Sequence, residues 1–143
     1  MTLKRIVLTF VSMAFMLSIL SVSVSAEKKK PDDTVQPMYE IATNPMSRLT
    51  LSGTEANCKS DTNGKSITSI TATQTLQKLQ GNAWTSVSGA SWTSTVSTSN
   101  ISIQNTKSGL TSGTYRLKTV FKLTDKNGKT ETVTVYSEEK TVP

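Results

Sequence analysis

Gly113-Thr114-Tyr115-Arg116-Leu117-Lys118-Thr119-Val120-Phe121-Lys122-Leu123-Thr124 is followed by Asp125-Lys126-Asn127-Gly128 and then by Lys129 to Tyr136. Two runs of period two around an Asn-Gly step predict a β-hairpin, with Gly128 at the reversal because glycine accepts the left-handed backbone of tight turns. In the first run Tyr115, Leu117, Thr119, Phe121 and Leu123 share one parity, and Arg116, Lys118, Val120 and Lys122 the other. Such alternation suits a strand with one face in a core and one in water. The second run divides into Val133 and Val135 against Thr132, Thr134 and Tyr136.

Upstream, serine and threonine make up 37 of the 117 residues after position 26. They alternate with Leu, Ile, Val and Trp, and threonine favours strands, so this bias predicts sheets with hydroxyl-rich outer faces. Leu49 and Leu51 before Gly53, then Ala56 and Cys58 after it, predict one long strand bent at Gly53. Asp61-Thr62-Asn63-Gly64-Lys65 reads as a turn. The next strand starts near Ile67, carries Ile70, Ala72, Gln74, Leu76 and Lys78 on one face, and closes at Gln80-Gly81-Asn82. Trp84 and Val87 begin a weaker strand that Gly89 separates from Trp92, Ser94 and Val96. Ile101 and Ile103 mark another, and Lys107 to Gly113 a connection. The expected fold is all-β, an antiparallel sandwich of about seven strands.

The chain opens with Lys4 and Arg5, an apolar run from Ile6 to Leu20, and the small-residue segment Ser21 to Ala26. This is the pattern of a secretory signal peptide cleaved near Ala26, too short for a bilayer span. The expected organisation is a signal peptide over 1–26, a leader over 27–45 with an edge strand near Tyr39 to Thr43, a sandwich over 46–140 and a tail over 141–143. The expected location is secreted or noncovalently held at the cell surface, with no transmembrane segment in the mature chain. Loss of Lys4 and Arg5 lowers the formal charge from +6 to +4. That charge reads as dispersed along the chain, without the concentrated basic face that nucleic acid requires.

Cys58 is the only cysteine, so no internal disulfide forms; the expected role is a small buried hydrophobe, with pairing between chains and then a reactive thiol as the alternatives. Histidine is absent, which removes the usual neutral-pH general base and the serine–histidine–acid arrangement. Asp61, Asn63 and Glu55 lack the spacing of a metal site, and no cofactor is expected. Glu131 with Glu55 or Asp61 does not form a recognisable glycosidase pair. A secreted hydrolase is therefore the remote alternative. Asn100-Ile101-Ser102 matches a glycosylation acceptor, relevant only in a eukaryotic source. Trp84, Trp92, Tyr39 and Tyr136 are the candidate ligand-binding residues, through ring stacking on sugar or protein, with at least one tryptophan expected in the core.

The order Leu110-x-x-Gly113-x-Tyr115-x-Leu117 resembles the penultimate strand of immunoglobulin-like and fibronectin-type domains. The resemblance implies a tyrosine corner at Tyr115, in a disulfide-free variant. Leu49-x-Leu51-Ser52-Gly53-x-x-Ala56-x-Cys58, Thr75-Leu76-Gln77-Lys78 with Trp84, Ser112 to Arg116 and Thr130 to Thr134 are similar to a group of small secreted proteins of unknown function from Gram-positive, clostridial-type bacteria. That second resemblance covers residues 46 to 140 and implies export without an activity or ligand. The sequence thus points to a secreted, non-catalytic module. It would bind a cell-surface polymer, a carbohydrate or another protein, or associate with itself.

Overall fold

A computed structural model describes residues 38–143. The signal segment and the leader up to residue 37 lie outside the described residues. Eight strands follow in order: β1 (Ala42–Ser52), β2 (Glu55–Gly64), β3 (Ile67–Gln80), β4 (Ala83–Val96), β5 (Asn100–Lys107), β6 (Gly113–Asp125), β7 (Thr130–Tyr136) and β8 (Lys140–Val142). They form two antiparallel sheets, β1-β2-β5 and β4-β3-β6-β7, with β8 pairing the start of β6. The sheets pack through their alternating apolar faces as a β-sandwich.

The β6–β7 hairpin forms as its pattern predicts. Asp125 and Lys129 pair across the turn, the Asp125 carboxylate accepts from the Asn127 and Lys129 backbone N–H groups, and Gly128 has φ of 80°. β3 also follows its pattern. A bulge between Ile67 and Ser69 shifts parity, so that Ile67, Ile70, Ala72, Gln74 and Leu76 all face inward.

Four local readings are corrected. Gly53 does not bend a single strand; Gly53 and Thr54 form the two-residue loop of the β1–β2 hairpin, with positive φ at the first position as in a type II′ turn. Asp61 to Gly64 is strand, because its backbone pairs with β1 on one side and β5 on the other, and the reversal falls at Lys65-Ser66. Gly89 does not separate two strands. It lies in a bulge of the continuous β4, between Ser86 opposite Gln77 and Ser91 opposite Thr75. Finally, β1 begins at Ala42, inside the expected leader, and β8 occupies most of the expected tail, since both find backbone partners on neighbouring strands.

The interior holds two apolar clusters. One contains Ile70, Ala72, Ile101, Phe121, Leu123 and Val133, and the other Leu49, Cys58, Leu76, Tyr115, Leu117 and Val142. A polar belt lies between them at the corresponding point of each strand. Asn105 Nδ2 donates to Gln74 Oε1 at 2.8 Å, and Gln74 Nε2 donates to Ser60 Oγ at 2.7 Å. Ser60 and Thr119 hydroxyls meet at 2.7 Å, Thr119 and Ser47 at 2.9 Å, and Ser47 Oγ donates to the Leu117 carbonyl at 3.3 Å. Each hydroxyl has one proton, so that last bond sets the direction of the chain: Ser60 donates to Thr119, and Thr119 to Ser47. Gln74, Ser60 and Thr119 are fully buried, and the belt leaves none of their polar atoms unpaired.

Candidate functional site

The outer face of the five-stranded sheet carries the side chains opposite in parity to the core. From β3 and β4 come hydroxyls in register: Thr71 with Thr95 at 2.9 Å, Thr73 with Thr93 at 3.0 Å, and Thr75 with Ser91 at 3.3 Å. β7 adds Thr132 and Thr134 beside Lys122 and Val120 of β6. Along the middle of this hydroxyl-lined face β6 places Arg116, Lys118 and Lys122.

At one end the Arg116 guanidinium lies 4.3 Å from the Trp84 ring centroid and 4.2 Å from that of Tyr136, stacked on both. Its Nε donates to Gln77 Oε1 at 2.9 Å. Four strands build this arrangement: Gln77 of β3 pairs with Arg116 of β6 on one side and with Ser86 of β4, the strand of Trp84, on the other, and β7 brings Tyr136 from beyond β6. The fixed Nε and the two rings leave the paired amino groups as the open edge of the cation. Tyr136 is 49% exposed.

The acids on the strands of this sheet are turned to other work. Asp125 caps the hairpin turn. Glu131 faces inward and accepts the backbone N–H groups of Glu40, Ile41 and Ala42 at 2.8, 3.0 and 2.7 Å, tying the start of β1 to β7. Burial pushes its carboxyl up, but the three backbone donors and Lys129 outweigh that and hold it below the usual range. Glu55 accepts from Ser108, and Asp61 lies within β2. Among the described residues, no group of three or more acids or cysteines is placed to hold a metal ion, and no helix is long and apolar enough to cross a membrane.

The four candidate aromatic residues are not one surface. Trp84 and Tyr136 come together through Arg116. Trp92 stands opposite the buried Gln74, on the inner side of β4, and packs against the second apolar cluster. The β4 bulge puts the two tryptophans on opposite faces. Tyr39 packs against the first cluster and shares a groove of about 480 Å³ with Met46, Val135 and Tyr136. Cys58 is buried, and burial pushes its thiol up to about 12. Tyr115 Oη donates to the Thr111 carbonyl at 2.7 Å across the β5–β6 corner.

Arg116 was not among the expected binding residues, nor were Lys118 and Lys122, although their shared parity is visible in the sequence. A charge that reads as dispersed along the chain becomes a row once β6 is a strand. No family model matches the chain, and no curated protein matches it.

Proposed function

We propose that this chain is an exported, non-catalytic, immunoglobulin-like module that attaches to extracellular or cell-surface material through the outer face of its five-stranded sheet. The strand order supports the immunoglobulin-like reading: three strands that include the first two face four that include the hairpin, the arrangement of fibronectin-type sandwiches. The Tyr115 bond to Thr111 has the form of a tyrosine corner. Leu117, two residues further on, stands where antibody domains have their second cysteine, and it shares an apolar cluster with Cys58. The signal-like segment over 1–26 supports export, and the resemblance to small secreted Gram-positive proteins is in keeping with it.

The observation that carries the binding role is the Trp84–Arg116–Tyr136 stack. A partly desolvated cation and a half-exposed ring are held against each other at the surface, outside both apolar clusters. Rigid aromatic and arginine side chains give contact area at low entropic cost. Incubating the mature protein with cell-wall and polysaccharide fractions tests this. Retention that weakens in Trp84→Ala is expected, and full recovery of the wild type in the unbound fraction from every material would remove the proposal.

A further inference from the structure

We infer that the material bound by this face is an acidic polysaccharide, with a carboxylate of the polymer held in the plane of the Arg116 guanidinium. The inference rests on the outer sheet face being the binding surface. The Trp84 and Tyr136 rings both lie against the cation, and Gln77 occupies Nε, so the two amino groups are the donors left for a further partner. That edge offers two parallel N–H donors, the fork that matches a carboxylate or a phosphate, and the neighbouring Tyr136 ring favours the carboxylate of a sugar acid. Among the described residues no protein acceptor meets those amino groups, and no strand acid of this sheet faces them.

The rest of the face fits a polymer that continues beyond one sugar. Lys118 and Lys122 follow Arg116 on the same parity of β6, and neither forms an ion pair within the described residues. At the strand rise, the row from Arg116 to Lys122 runs about 20 Å, several sugar units. The half-exposed Tyr136 ring offers a platform for a sugar ring whose acid group reaches Arg116. Flanking threonine hydroxyls suit sugar hydroxyls, and the ring platform suits a sugar ring, which a glycerol phosphate chain does not carry. Three cations in one row, with stacking residues only at its end, are also poorly matched to successive nucleic-acid bases.

The test compares retention of the mature protein on immobilised polygalacturonate and on its fully methyl-esterified form, the same sugar without the charge. Poly(glycerol phosphate) and single-stranded DNA are further arms. Tight binding to the free acid, loss on the ester and weakening with added salt are expected. Arg116→Ala is expected to weaken binding at least about tenfold, and Arg116→Lys to restore it only in part. Lys118→Gln with Lys122→Gln, which alters only outward-facing side chains, is expected to weaken binding and flatten its salt dependence, whatever the Arg116 variants do to folding. Equal binding to acid and ester overturns the inference while leaving the surface-module reading in place. So does binding to the phosphate polymer or DNA as tight as to polygalacturonate, or an unchanged double-lysine variant. Failure to bind every wall and polysaccharide fraction removes both readings.

Discussion

The side-chain amide of Gln74 and the hydroxyl of Ser60 meet at 2.7 Å across the interior, where neither residue reaches solvent. They belong to opposite sheets, β3 and β2, so this contact and the Ser60–Thr119 bond cross the sandwich within one continuous network. A buried hydroxyl that loses its acceptor bears the full cost of its desolvation. Thr119→Val keeps the shape, strands the Ser60 proton and removes the donor to Ser47. The expected loss is about 1–3 kcal/mol of unfolding free energy in urea denaturation. Adding Ser60→Ala to that variant is expected to cost less than Ser60→Ala alone, and strict additivity of the two would show that the residues are not coupled.

Glu131 links pH to the same fold. Its carboxyl titrates lower in the folded chain than in the unfolded one, so the unfolded state binds the proton first. The stabilisation is present above the ordinary glutamate pKa of about 4.3 and is lost as pH falls through the lower folded value. Glu131→Gln is expected to flatten that acid limb and to cost about 1 kcal/mol at neutral pH, through weaker bonds to residues 40–42. Parallel acid limbs in the two proteins would count against the clamp.

Cys58 acts in the opposite direction. Its folded thiol titrates at about 12, above the ordinary value. Its contribution is therefore complete below the unfolded thiol pKa and declines as pH rises from there towards 12. Cys58→Ala is expected to show a shallower alkaline decline than the wild type. In native buffer at pH 8 an alkylating reagent is expected to modify Cys58 no faster than the chain unfolds. Rapid stoichiometric labelling of folded protein would contradict a sealed thiol.

Tyr115→Phe removes the phenolic hydroxyl and leaves the packed ring. The Thr111 carbonyl loses its partner at the β5–β6 corner, with an expected cost of about 1–2 kcal/mol. Because the ring points inward while Arg116 points out, retention on polygalacturonate should persist at temperatures below the lowered melting point. A binding loss as large as that of Arg116→Ala would mean that the two faces of β6 are not independent.

The final hairpin and the inward face of β3 were legible because period two is local and the Asp125–Gly128 turn contains its own chemistry. The Tyr115 bond back across the corner was expected only through the resemblance of the Leu110 to Leu117 segment to immunoglobulin-like strands. Asp61 to Gly64 misled because turn-forming residues can be held in a strand when partners pair on both sides. β8 was hidden by its length: three residues carry no period, and the order comes from β6. The candidate site was half legible. Parity alone puts Arg116, Lys118 and Lys122 together, but Trp84 and Tyr136 reach Arg116 only through the β4-β3-β6-β7 order, a long-range property of the sheet.

Ser60 and Thr119 fasten β2 of one sheet to β6 of the other. Here the fastening consists of hydroxyl and amide bonds, and the only thiol in the chain is shut inside the second apolar cluster. Assembly of the domain therefore calls for no oxidant and no disulfide isomerase. The same native state should persist whether its surroundings are oxidising or rich in free thiols.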